Sequence, residues 1–246
     1  MSITGIPAQT LPSRVWMIRR CFLADEGHVV ASVDYKAQEL RVLASLSGDP
    51  TMIQAFRDDL DLHQITADAA GVGRPVGKMA NFQKVFGGGA GALAVAAGIP
   101  FPVAKRVHDT FSATYPGVTK FGAQLQREAA RDGYIITPSG RRLPVDETRA
   151  YASLNYEIQS TARDITCRAV LRLHEAGYTP FLRLPIHDEV LCSLPAADAE
   201  AYAQDIGRIM VEEMENVTIA TDPEVGGRSW GSLYLKEKDR AECTDP

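Results

Sequence analysis

Two groups of carboxylates sit where chemistry could use them. Asp34 ends the run Val29-Val30-Ala31-Ser32-Val33, and His187-Asp188-Glu189 separates the apolar runs 181–186 and 190–194. The first run, bounded by Gly27 and rich in β-branched residues, predicts a buried strand with Asp34 at its end. The second arrangement predicts a hairpin with its acids at the tip. If the hairpin pairs beside the strand, Asp34 and Asp188 face one another across a pair of divalent cations. Hard cations such as magnesium take oxygen ligands, and two of them about 3.5–4 Å apart can hold both the attacking and the leaving oxygen of an in-line phosphoryl displacement. His187-Asp188 also fits a metal-dependent phosphohydrolase, because imidazole and carboxylate both ligate transition metals. His28, His63, His108 and His174 supply no close ligand spacing to complete such a site.

Between the acids lies a stripe. Arg74, Lys78, Phe82 and Phe86 recur at intervals of four and share one face of an α-helix. Pro75 suits the first turn of that helix, and Gly87-Gly88-Gly89 ends it. Such a stripe fits a surface helix whose phenylalanines enter the core while Arg and Lys snorkel. It also fits a triphosphate grip, with Arg74 and Lys78 on the phosphates and Phe82 against sugar and base. Acids on either side in sequence favour the second reading.

In this order the segments resemble the palm and fingers of the DNA polymerase I family, family A. Its motif A, D-Y-S-Q-I-E-L-R followed by a Leu-rich helix and S-x-D, reads here as Asp34 to Arg41, then Val42 to Leu46 and Ser47-Gly48-Asp49. Motif B, R-x-x-x-K-x-x-x-F-x-x-x-Y-G, reads as Arg74, Lys78, Phe82, Phe86 and Gly87; motif C, V-H-D-E, as Ile186-His187-Asp188-Glu189. Asp61-Leu62-His63, Tyr115-Pro116-Gly117, Gly140-Arg141-Arg142, and Asn155 with Gln159 are also family-like.

The resemblance implies template-directed DNA synthesis, in which deoxynucleoside triphosphates are added to a primer 3′-hydroxyl and pyrophosphate is released. Asp34, Asp188 and the backbone carbonyl of Tyr35 would hold two magnesium ions, with manganese able to substitute, and Glu189 would be a supporting acid. Arg74, Lys78 and His63 would contact the triphosphate, and Lys78 would also protonate the leaving pyrophosphate. Phe82, Phe86, Gln38 and Glu39 would complete the nucleotide site, with Glu39 as the steric gate against a 2′-hydroxyl. Arg141, Asn155, Gln159 and His187 would touch primer, template or minor-groove atoms, where acceptors common to correct pairs report geometry rather than sequence. Phe82 stands where the family has Phe or Tyr, so discrimination against dideoxynucleotides is expected.

Several positions depart from the family pattern. Ala37 and Gln38 stand for Gln and Ile, which moves a polar group by about 100° around the helix. Phe86 stands for Tyr and removes a hydroxyl beside the gate, which points to looser sugar selection and to ribonucleotides or RNA templates as a variant of the activity. Gln83 and Lys84 add polarity where the template base would pass. Tyr151 replaces an Arg, and Pro185 a polar residue.

The 246 residues, 45% hydrophobic and 23% charged, describe a globular chain of one or two domains. No apolar run of 18 residues, signal pattern or repeat is present, so an intracellular protein with no membrane association is expected. Cys21, Cys167, Cys192 and Cys243 lack paired spacing and read as reduced, buried thiols. A net charge of −5 disfavours nucleic acid overall. Local basic sets are Arg14, Arg19 and Arg20; Lys105-Arg106; and Arg163, Arg168 and Arg172. Each reads as a solvated helix face or a weak DNA grip.

The expected fold is α+β: an antiparallel palm sheet built from 28–34, the 180–194 hairpin and a C-terminal piece, backed by helices at 151–177 and 196–215. A mostly helical fingers region would span 46–150, between palm segments 1–45 and 151–235, and 236–246 would be a flexible tail. Within the fingers, 103–132 predicts core helix broken at Pro116-Gly117. Only eight residues precede the first family-like segment, Gln9 to Arg14, so either a partner polypeptide is expected to supply a thumb and proofreading function, or the chain is a trimmed or minimal polymerase of poor processivity. The alternative is a catalytically weak nucleic-acid-binding subunit of a split replication or repair polymerase.

Overall fold

The β-branched run before Asp34 does form a strand, and an inner one. The computed structural model describes residues 16–234, so the tail 236–246, the segment 9–14 and Cys243 lie outside the described residues. Along the chain run α1 (Trp16–Arg19), β1 (His28–Tyr35), α2 (Gln38–Ser47), α3 (Pro50–Arg57), α4 (Leu62–Ala70), α5 (Arg74–Val85), α6 (Ala90–Ala97), α7 (Phe101–Thr114) and α8 (Pro116–Asp132). Then come β2 (Tyr134–Ile136), β3 (Arg142–Pro144), α9 (Ser153–Glu175), β4 (Leu182–Ile186), β5 (Glu189–Pro195), α10 (Ala199–Met210), β6 (Glu212–Glu213), β7 (Thr218–Ile219) and β8 (Thr221–Val225). The class is α+β, as expected. The described residues fall into two compact units: one takes 16–36, 165–212 and 220–234, and the other takes Ala37–Asp164 with 213–219.

The first unit is built on an antiparallel sheet of order β4-β5-β1-β8, the expected strand and hairpin plus a C-terminal strand. Helix α10 packs against β1, β5 and β8. The Tyr35 hydroxyl donates to the Met210 carbonyl at 2.8 Å. Val30, Ile186, Leu191, Ala24, Trp230 and Leu233 form a separate apolar cluster. The β4–β5 connection corrects the hairpin expectation in one respect: its turn is only His187-Asp188, and Glu189 already pairs with Ile186 as the first residue of β5. A two-residue turn with left-handed backbone at its first position, here His187 at φ 55°, matches the twist of the strands it joins.

The second unit is mostly helical. The stripe predicted over 74–86 is α5, with Pro75 in its first turn and Gly87 at φ 74° just beyond its end. Gly77 lets α5 approach α4 closely, since a Cβ there would lie 2.4 Å from the His63 carbonyl oxygen. The 103–132 segment is α7 and α8, broken at Tyr115-Pro116, with Val107, Phe111, Val118 and Leu125 buried. Asp49 fixes two helix starts. Its carboxylate accepts from Thr51 and Met52 N–H at the start of α3 and from Gly117 N–H in the first turn of α8, at 3.1, 3.1 and 2.8 Å. A side chain at 117 would collide with the Asp49 backbone.

Two surface expectations are corrected. Cys21 and Cys167 are exposed, and only Cys192 is a buried thiol among the described cysteines. The basic sets are not simply solvated: Arg19 is buried over the Trp230 ring, and Arg168 and Arg172 both pair with Glu212, because each long side chain covers apolar surface or meets an acid. Arg14 lies outside the described residues.

Candidate active site

The acid centre lies in the sheet unit. Asp34, the penultimate residue of β1, is directly opposite Glu189 of β5, and the Tyr35 N–H donates to the Asp188 carbonyl at 3.1 Å. The β1 strand end and the β4–β5 turn are thereby locked together. Partial burial pushes the Asp34 carboxyl up to about 7, and the charges of Asp188 and Glu189 add to the push. Burial raises Glu189 as well, although Ser32 Oγ donates to its carboxylate at 2.9 Å. The His187 ring lies 3.2 Å from Asp188, and Thr166 Oγ1 donates to the His187 carbonyl at 3.4 Å.

A divalent cation fits this donor set. Asp34 and Asp188 are half-exposed carboxylates that repel one another, and a hard cation would relieve that repulsion. Among the described residues, no group of three or more His, Cys, Asp or Glu side chains converges to hold a metal ion by itself. Magnesium at phosphoryl-transfer sites is commonly held by one or two carboxylates, with substrate phosphates and water completing the shell.

The helical unit carries the stripe. Arg74 is anchored by the Asp61 carboxylate, which also accepts from His63 N–H to cap α4. Lys78 extends over the Phe82 ring, 5.8 Å from its centroid, and Phe82 stacks on Phe86 with 6.2 Å between ring centres. His63 packs on the other flank of Phe82 at 5.7 Å. The Asn81 amide nitrogen, itself buried, lies 3.0 Å from His63 Nδ1. Burial lowers the His63 pKa, with Lys78 and Arg74 lowering it further, so its neutral form presents Nε2–H outward when Nδ1 accepts from Asn81. The stripe is therefore a surface of cations and ring faces rather than a core face, and Phe86 is 41% exposed.

Three further residues of this unit lie at the start of α2. Ala37 precedes that helix in the left-handed region at φ 49°, a conformation costly for a residue with a Cβ. Glu39 is buried in the first turn. Gln38 is also buried, donating its amide to the Ala162 carbonyl at 3.2 Å. The expected DNA-contacting residues of this unit are dispersed. Arg141 pairs with Asp164, Asn155 is half-buried with an unpartnered Oδ1, and Gln159 is exposed.

Two features here carry no signal in the sequence pattern. Glu157 is buried on α9 with one carboxylate oxygen unpartnered, and burial with the Glu128 charge pushes it up to about 7. Its neighbours in sequence carry no charge pattern that signals this. A cavity of about 330 Å³ opens beyond the C-terminal end of α5, lined by Lys84, Gly87, His108, Gln126 and Tyr151 among others. Lys84 lies over the Phe111 ring, and burial lowers its pKa. The polarity noted at position 84 thus faces a cavity.

The arrangement of motifs A, B and C agrees with a match of the family model for DNA polymerase family A over residues 2–232. The chain belongs to DNA polymerase family A. Among family A relatives, the DNA polymerase of Mycobacterium phage L5 is 68% identical over 95% of this chain and 39% of its own length. The thermostable DNA polymerase I of Thermus aquaticus is 31% identical over 96% of this chain and 30% of its own. Of solved structures, the POL domain of Pol1 from M. smegmatis, in complex with DNA primer-template and dNTP, matches at a TM-score of 0.83 and 26% identity, over 93% of this chain and 45% of that one. The chain thus spans about two fifths of its phage relatives' length. Among the described residues, no helix is long and apolar enough to cross a membrane.

Proposed function

We propose that this chain carries the nucleotidyl-transfer centre of a DNA-directed DNA polymerase, which adds deoxynucleoside triphosphates to a primer 3′-hydroxyl and releases pyrophosphate. The acid pair supports this most directly: the Tyr35 N–H bond to the Asp188 carbonyl ties the end of β1 to the turn that carries Asp188, and burial, with the charges of Asp188 and Glu189 adding to it, holds the Asp34 carboxyl well above the usual carboxylate range. Two magnesium ions, held by Asp34, Asp188 and the Tyr35 carbonyl, would supply charge stabilisation for the attacking and leaving oxygens. Manganese shares the preference for hard oxygen donors.

The remaining roles belong to the chain's own groups. Arg74, held in place by Asp61, presents its remaining N–H groups to phosphate oxygens. His63 donates Nε2–H as a neutral group, so it orients a phosphate without adding charge. Lys78 Nζ binds the triphosphate and gives its proton to the departing pyrophosphate. Phe82 and Phe86 offer ring faces to sugar and base, and Glu39 blocks a ribose 2′-hydroxyl. Gln38 acts from behind, tying α2 to the Ala162 carbonyl. Glu189, bonded to Ser32, orients the acid centre. Arg141, Asn155, Gln159 and His187 contact primer and template, and the cavity at Lys84 receives the template ahead of the new pair. The structural relative's complex with primer-template and dNTP supports these substrates.

The test is magnesium-dependent extension of a primed DNA hairpin at low salt by the parent, Asp34→Asn and Asp188→Asn. Extension by the parent and at least a hundredfold loss in both variants is expected. A parent that binds the hairpin and never extends it would instead support a nucleic-acid-binding subunit.

A further inference from the structure

Asp34 is opposed by a carboxylate on each side. Residues directly opposite in an antiparallel pair share a face, with Cβ atoms about 4.5–5.5 Å apart. Asp34 faces Glu189 on β5 and Asp222 on β8. Three acids therefore form a row across three strands, with Asp188 at the adjoining turn. Like charges in such positions destabilise a sheet. Glu189 is compensated by the Ser32 hydroxyl. Asp222 has Lys36 Nζ 3.9 Å away, but both side chains are largely solvent-exposed, so that ion pair offsets little of the repulsion. Asp222 also adds to the charges acting on Asp34.

A divalent cation at Asp34 turns the same arrangement from a cost into a gain. We propose that Asp222 is a metal-positioning residue, whose carboxylate accepts hydrogen bonds from water bound to a cation held by Asp34 and Asp188, while Lys36 competes for that carboxylate. This rests on the proposed function, since it requires the acid pair to hold the cation. It differs in assigning to β8 a part in the site. Carboxylates that bond to a metal's ligands, rather than to the metal, commonly account for about tenfold or more in affinity. Lys36 has the opposite effect, because its charge both repels the cation and occupies Asp222.

The experiment titrates manganese into the full chain without DNA or nucleotide and reads free Mn²⁺ by electron paramagnetic resonance. Asp34→Asn should abolish the site, Asp222→Asn should weaken it about tenfold, and Lys36→Met should tighten it by about twofold or more. Melting of Asp222→Asn in EDTA should stay at or above that of the parent, since a repulsion has been removed. An affinity sensitive to Asp34→Asn and within twofold of the parent in Asp222→Asn would overturn the role of Asp222 alone. So would weakening by Lys36→Met, which would mark the pair as scaffold. An affinity indifferent to Asp34→Asn would overturn the metal site itself and this role with it.

Discussion

Asp34→Asn should stabilise the metal-free protein and destabilise it relative to the parent once magnesium is added. Folding lifts the Asp34 carboxyl from its ordinary 3.8 to about 7. Between those values the native state binds more protons than the unfolded chain, so the parent loses stability as pH rises through this window and stays lower above it. At about 1.36 kcal/mol per tenfold, the gap bounds the penalty at about 4 kcal/mol. Asp34 is exposed by surface area, so screening reduces this to about 1–2 kcal/mol. For a chain of this size, about 2–4 °C per kcal/mol predicts that the variant melts about 3–6 °C higher at pH 8 in EDTA. At pH 3.5 the advantage should shrink towards zero. Magnesium at a hundred times its Kd adds about 2.7 kcal/mol to the parent alone, which reverses the order. Differential scanning fluorimetry at both pH values, with and without magnesium, reads all four states. A variant that melts lower in EDTA at pH 8, or an order that magnesium leaves unchanged, would show that Asp34 carries no such electrostatic penalty and holds no cation.

Glu157→Gln should raise the unfolding free energy in urea titration at pH 8 by about 1–3 kcal/mol, since a buried charge is removed, and by much less at pH 5. Glu157 is raised from 4.5 to about 7, so its penalty grows only as pH climbs through that range. Gly77→Ala should lower Tm despite better helix propensity, because the 2.4 Å approach to the His63 carbonyl must open; KM for the nucleotide should rise with it. Lys78→Met should reduce kcat by about 10²–10⁴-fold. Lys78→Arg should keep KM near the parent while kcat stays low, since a guanidinium binds phosphate but does not release its proton; steady-state kinetics separates the two.

The elements that carry the candidate site were legible where local pattern and fold agree. A β-branched run ending in Asp34, a polar tip between two apolar runs and a four-residue stripe each carry their own period, and each became the expected element. What escaped depends on pairing over distance. A C-terminal piece was expected in the sheet without bounds or register, and only the pairing of Thr221–Val225 beside β1 brings Asp222 opposite Asp34. Glu157 reads as an ordinary helix surface acid until α9 packs. Hairpin β2–β3 is three residues a side, too short for alternation to show. The resemblance put Gln38 in the nucleotide site, and only the fold shows that its amide is buried and bonded to the Ala162 carbonyl. Position 189 was placed at the turn because nothing in sequence says that the turn needs only two residues.

Templated nucleotidyl transfer shows itself in the choice of base. Each of the four deoxynucleoside triphosphates would be offered singly to hairpins with each of the four template bases, and added nucleotide and released pyrophosphate would be counted together. The expected result is addition only of the complement, one pyrophosphate per nucleotide, and none of either in EDTA or with Asp188→Asn. Addition regardless of the template base, or equal addition by Asp188→Asn, would contradict it.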